Sequence, residues 1–221
     1  MSDLKIIFEK LTVAYGPRHW WPAETPLEVA IGAILTQNTN WKNVEMAIAN
    51  LRSEIRLTSQ ALIEIDRDKL EQLIRPSGFF RQKAERLQLF AEHLSAHHDG
   101  SLEQLLRQPL AAARHELLRL KGIGAETADS ILLYAGALPS FVVDAYTRRL
   151  FERLGYLHGK ESYEQVRSQF MTQIPVDPNV YNEYHALIVE HCKRFCRKQP
   201  RCGDCCLNGI CQKTREASVP A

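Results

Sequence analysis

Six cysteines lie between Cys192 and Cys211, and the 191 residues before them contain none. A disulfide framework would spread its cysteines along the chain. A cluster of this kind in a reducing compartment reads as a metal site. The spacing Cys196-x5-Cys202-x2-Cys205-x5-Cys211 lets four thiolates wrap one centre. An iron–sulfur cluster with four cysteine ligands is the natural occupant, and zinc, which also takes four thiolates, is the rival. The register is open at two points, because Cys206 can replace Cys205 and Cys192 can replace Cys196. Lys193, Arg194, Arg197, Lys198, Arg201 and Lys213 surround these ligands. A folded metal loop carrying that charge would grip a phosphate backbone.

Two further patterns can do chemistry. Leu120-Lys121-Gly122-Ile123-Gly124-Ala125 sets two glycines in a turn between helical segments. Gly122 and Gly124 permit a turn that bulky residues cannot make. They leave backbone N–H groups at the start of the next helix, where an anion such as a nucleic-acid phosphate binds. This is the helix-hairpin-helix pattern, and a plain turn between packed helices has the same residues. Asp144 follows the apolar triplet Phe141-Val142-Val143. A carboxylate there can stabilise a developing positive charge or activate water. It is also a good N-cap for the segment from Ala145. The two roles are compatible.

The elements that must position these groups read as helical nearly throughout. Leu4, Ile7, Phe8, Leu11 and Tyr15 fall at helical spacing. Thr25-Pro26 opens a helix to Gln37, and Asn40 caps another to about Glu54. Asp66 begins one that ends at Ile74. Longer segments run from Phe80 to about His97, from Pro109 to Leu120 and from Glu126 to Tyr134. Others follow Asp144, Ser162 and Pro178. No convincing alternating strand exists, so the fold class is all-α. Hydrophobic residues at 45% and charged residues at 24% fit a globular protein and exclude a disordered one. The net charge is +2, so any basic surface is local. No run of about 18 apolar residues exists, and no membrane association is expected. The N-terminal Met-Ser-Asp-Leu-Lys lacks the apolar core of a signal peptide, so a cytoplasmic, nucleoid-associated location is expected.

In this order and separation, these features resemble the endonuclease III superfamily of helix-hairpin-helix DNA glycosylases. Ala33-Ile34-Leu35-Thr36-Gln37 resembles the family segment whose Gln enters the DNA helix. Gly78-Phe79-Phe80-Arg81-Gln82-Lys83-Ala84 is similar to its second DNA-contacting turn, and Ile188-Val189-Glu190-His191 to the approach to its cluster. The resemblance implies a two-lobed fold with a C-terminal iron–sulfur loop over 196–211. One lobe is a six-helix barrel over 26–136, with its hairpin at 120–125. The other joins 1–25 to 137–221, so that Asp144 and the hairpin face each other across a cleft. It implies a [4Fe–4S] cluster on Cys196, Cys202, Cys205 and Cys211, although the family's first gap is six residues and here it is five. It implies double-stranded damaged DNA as partner and a monomer, with Gln37, Gly78, Lys121, Gly122, Ile123 and Gly124 on the DNA.

Members that also cleave the strand carry a lysine two residues after the second hairpin glycine. Glu126 stands there in this chain, and a carboxylate cannot form an imine. The resemblance therefore implies a glycosylase that only hydrolyses the base–sugar bond, with catalytic Asp144 supporting attack by water. Lys121, where proline is usual, is expected to face phosphate. Trp20-Trp21-Pro22, Thr36–Trp41 and Arg75–Phe79 look like the 3-methyladenine glycosylase branch, which also carries Glu at the lysine site. There Trp20 or Trp21, Pro22 and Trp41 would line the base pocket. N3- and N7-alkylated purines are cationic, and aromatic faces attract cations by roughly 0.5–2 kcal/mol. The plain reading of these tryptophans is as core anchors. Some members of that branch lack the cluster loop that this chain keeps. The rival readings are a glycosylase/lyase for oxidised pyrimidines and a non-catalytic DNA-binding or redox-sensing protein of the same fold.

Overall fold

The computed structural model describes residues 3–18, 20 and 23–213. Its α-helices are α1 (Asp3–Tyr15), α2 (Pro26–Leu35), α3 (Trp41–Glu54), α4 (Ser59–Glu64), α5 (Arg67–Leu73) and α6 (Phe80–His98). They continue with α7 (Leu102–Leu106), α8 (Leu110–Leu118), α9 (Ala125–Ser130), α10 (Ala145–Leu154), α11 (Tyr163–Gln173) and α12 (Pro178–Arg194). A π-helical turn, Ile131–Ala135, extends α9, and short 3-10 turns occupy Arg75–Ser77 and Asn208–Ile210. Among the described residues there is no β-strand, and no helix is long and apolar enough to cross a membrane.

The chain divides into two compact units. One is Trp21–Leu138; the other joins Met1–Trp20 to Pro139–Ala221.

The first unit holds α2 to α9 around α2. That helix, PLEVAIGAIL, is apolar nearly all round, and nine of its ten residues are buried, as a central helix requires. Thr25 caps it, accepting from the Glu28 N–H, with Pro26 at the first helical position. Glu28 itself is 4% exposed. Arg52 satisfies its buried carboxylate at 2.5 and 3.1 Å. α2 stops at Leu35, two residues before the expected end, because Asn38 turns the chain into the left-handed region at φ 56°. Gln37 therefore sits on a turn.

The second unit packs α1, α10, α11 and α12 around aromatic rings. Phe141 stacks on Phe170 at 4.2 Å, and Phe151 meets Phe170 edge-on at 4.8 Å. The Tyr184 hydroxyl donates to the Leu4 carbonyl at 2.8 Å and ties α12 to α1. The extended triplet Phe141-Val142-Val143 is buried in this core. It fixes where the next residue, Asp144, emerges.

Candidate functional site

In the first unit the glycine turn joins α8 to α9. Arg114 on α8 pairs with the fully buried Asp129 on α9 through two bonds, at 2.8 and 3.1 Å. That bidentate pair fixes the angle of the hairpin. Gly122 has φ +84°, and a Cβ there would collide with the Arg86 side chain. Glycine is thus required both by backbone conformation and by space. Ile123 anchors the turn in the core at 5% exposure. Gly124 is the N-cap of α9, and no side chain caps that end. The first N–H groups of α9 therefore suit an anion.

Gln37 is part of this turn's structure. Its amide nitrogen donates to the Gly122 carbonyl at 3.0 Å and to Thr127 Oγ1 at 2.9 Å. Arg86 donates to its amide oxygen. Lys121 points elsewhere: its ammonium pairs with Glu85 at 2.5 Å on the exposed face of α6. Glu126 is exposed in the first turn of α9.

The second glycine turn is held from below. Gly78 and Phe79 both take positive φ, 68° and 46°, and Phe79 is 62% exposed. A large apolar ring held outward on a left-handed residue is a costly arrangement that clusters at functional sites. Lys83, 1% exposed, donates to the Ser77 carbonyl at 2.7 Å and the Leu35 carbonyl at 2.8 Å. One buried amine thus joins the Gly78 turn to the end of α2. Burial, with Arg86 nearby, lowers this amine to about 8.

In the second unit Asp144 caps α10, its Oδ1 accepting from the Thr147 N–H at 2.7 Å. Its Oδ2 lies 3.5 Å from His185 Nε2, on α12. Burial alone would raise this carboxyl. His185 and the Thr147 N–H outweigh burial and hold it below its ordinary value. Asp144 is therefore a charged, positioned carboxylate. The structure supports its capping geometry and leaves its second oxygen beside an imidazole.

The tryptophans fall in different places. Trp21 and Pro22 lie outside the described residues. Trp20 belongs to the second unit, with Lys193 Nζ 5.3 Å over its ring. Trp41 belongs to the first unit. It donates to Glu45 at 2.9 Å and lines a groove with Glu24, Glu28 and Arg52.

All six cysteines are free thiols. Cys196, Cys202, Cys205 and Cys211 line one small cavity, closed by His191 and Leu207. Cys192 and Cys206 are not among its lining residues. Cys192 Sγ instead reaches toward the Tyr146 carbonyl at 3.5 Å, and Cys206 Sγ lies 3.9 Å from His191 Nδ1. Four cysteines around one cavity form an all-thiolate donor set, which suits an iron–sulfur cluster or a zinc ion. The neighbouring Cys192 thiol and the guanidinium of Arg153, which donates to Cys196 Sγ at 3.3 Å, hold Cys196 toward the thiolate. Arg149 donates to the Cys196 carbonyl and Arg153 to those of Arg197 and Lys198, so α10 holds the loop.

Sequence reading did not single out Arg86, Thr127, Lys83 and His185 for these roles. Apart from Ser77, six positions before Lys83, their partners are tens of residues away in the chain, and no local spacing signals them.

Residues 31–176 match the family model of HhH-GPD superfamily base excision DNA repair proteins. A Methanocaldococcus jannaschii protein named as a DNA repair glycosylase, MJ1434, is 48% identical over 93% of this chain and 94% of its own length. Endonuclease III of Thermotoga maritima is 30% identical over 85% of this chain and 83% of its own. The solved structure of H. pylori 3-methyladenine DNA glycosylase, bound to 1,N6-ethenoadenine, superposes with a TM-score of 0.73. It is 29% identical, covering 87% of this chain and 98% of that one. The match over residues 31–176 and the 48% identity along nearly the whole chain show that it belongs to the HhH-GPD superfamily of base excision DNA repair proteins, as a DNA glycosylase.

Proposed function

We propose that the chain is a monofunctional glycosylase that releases alkylated purines of the 3-methyladenine type from double-stranded DNA. The observation that carries this reading is Glu126 at the position where strand-cleaving relatives hold their lysine, beside a Lys121 engaged by Glu85. No amine is offered there for an imine. The likeness to an alkylpurine glycosylase solved with a modified adenine supports the substrate class. So does Trp41 on the wall of a groove, since an aromatic face attracts a cationic base.

In this mechanism the hairpin N–H groups and the basic cluster loop bind backbone phosphates. Phe79 and Gln37 support the gap left as the damaged nucleotide rotates out. Asp144 carries its negative charge next to the sugar as the glycosidic bond breaks, and it orients the attacking water. A cationic purine leaves readily and needs little protonation. Cys196, Cys202, Cys205 and Cys211 would hold a [4Fe–4S] cluster, which supplies a rigid cross-link to the DNA-facing loop. The protein works as a monomer in the cytoplasm, on the nucleoid.

The test is release of labelled base from methylated duplex DNA, with and without hot alkali. Free 3-methyladenine or 7-methylguanine, with strand breaks only after alkali, supports the reading. Direct cutting of oxidised-pyrimidine DNA without release of methylated bases overturns it.

A further inference from the structure

The end of α6 carries a group of ligating side chains to which the proposed mechanism gives no role. His93, His97 and His98 fall in its last six residues, and α8 adds His115 and Glu116. Four of the chain's eight histidines thus collect at one place. Two of them converge on a single oxygen: Glu116 Oε1 lies 2.6 Å from His93 Nε2 and 2.5 Å from His98 Nε2. The three ligand atoms lie within 4.8 Å of one another, and this is the one such trio of His, Cys, Asp or Glu among the described residues. The side chains are 12–23% exposed, so an ion can reach them from the groove they line. The carboxylate is also braced from behind. Gln108 Nε2 donates to its other oxygen at 2.6 Å, as partners outside a ligand set commonly do.

Two imidazole nitrogens and one carboxylate oxygen are the donor set of borderline divalent ions. We propose that His93 Nε2, His98 Nε2 and Glu116 Oε1 bind one divalent transition-metal ion of the zinc class, clamping the end of α6 to α8. The site is separate from the cysteine cavity and takes a different ligand chemistry, nitrogen and oxygen against sulfur. On binding, each Nε2 gives up its hydrogen. A neutral ring moves that hydrogen to Nδ1 through solvent with no net release, and a protonated ring releases one proton to water. Bond lengths near 2.0–2.1 Å set ligand atoms about 3.3 Å apart, so the present contacts open by a small side-chain adjustment. Water completes the fourth position from the groove. The ion would hold fixed the segment that leads into the hairpin.

The experiment is equilibrium dialysis of the cluster-loaded protein against Zn2+, with iron and zinc counted in the same sample. One zinc per chain with no loss of iron is expected, and the melting temperature rises with Zn2+. His98→Gln and Glu116→Gln weaken zinc binding at least as much as Gln108→Ala, for which a loss of roughly 10–100-fold is expected. His158→Gln leaves it unchanged. Zinc uptake matched by iron loss and indifferent to His98→Gln overturns the proposal, because the ion is then on the cysteines. Absence of uptake overturns it as well. Should the variants fail to fold, the wild type decides: Zn2+ must shield His93 and His98 from diethyl pyrocarbonate, and modification at an unchanged rate overturns the site.

Discussion

Asp144 and His185 face each other across 3.5 Å, one at the start of α10 and the other within α12. The imidazole favours the ionised carboxyl, and so does the Thr147 N–H on its other oxygen. Asp144→Asn keeps a capping side chain but loses the charge. Base release is expected to fall by about 10²–10⁴-fold, while stability changes by about 1 kcal/mol or less. Single-turnover excision and thermal melting separate the two effects.

The same pair sets a pH dependence. The folded-state value of Asp144 lies below its unfolded value, which is about 3.9. Its contribution to stability is therefore present above that unfolded value and is lost as pH falls through the folded one. His185→Gln removes the partner and raises the carboxyl. The acid limb of the excision rate should move to higher pH, and an unmoved limb would show that His185 does not tune Asp144.

Glu126→Lys restores an amine two residues after Gly124. Borohydride reduction during reaction should trap a covalent protein–DNA adduct with this variant and none with the wild type. A wild-type adduct would mean that another lysine attacks the sugar.

Gly122→Ala must take a left-handed conformation and displace Arg86. A loss of more than about 1 kcal/mol is expected, with weaker DNA binding. In an Arg86→Ala background the collision disappears but the backbone strain remains. A double-mutant cycle by chemical denaturation should return a coupling of at least about 0.5 kcal/mol.

Lys83→Met strands the Leu35 and Ser77 carbonyls, at about 1–3 kcal/mol for each buried group left unpaired. The native amine is lowered to about 8 by burial and by Arg86, against about 10.4 when unfolded. Folding therefore disfavours its charged form. The wild type should gain stability relative to the variant as pH rises from about 8 to about 10.4. A neutral amine still has two hydrogens for its two carbonyls.

The caps were the most legible part of the fold. Thr25, Asn40, Asp66 and Asp144 each accept from the backbone N–H three residues on, an interaction written in local sequence. α4 and α7 escaped notice although Thr58 and Ser101 cap them, because six and five residues are too few to show a helical period. At the site, the glycine turn, Asp144 and the four-cysteine spacing were visible as residue patterns. The braces were not. Arg86 meets Gln37 across 49 positions and His185 meets Asp144 across 41, and only tertiary packing brings such pairs together.

The bond from Gln37 to the Gly122 carbonyl has one more consequence. Gln37 and the glycine turn form a single stiff part, with Arg86 as its rivet. On the proposed reading, in which Gln37 supports the opened stack and the turn holds phosphate, resistance met at one would pass straight to the other. The time spent at a site would then report how easily that site bends.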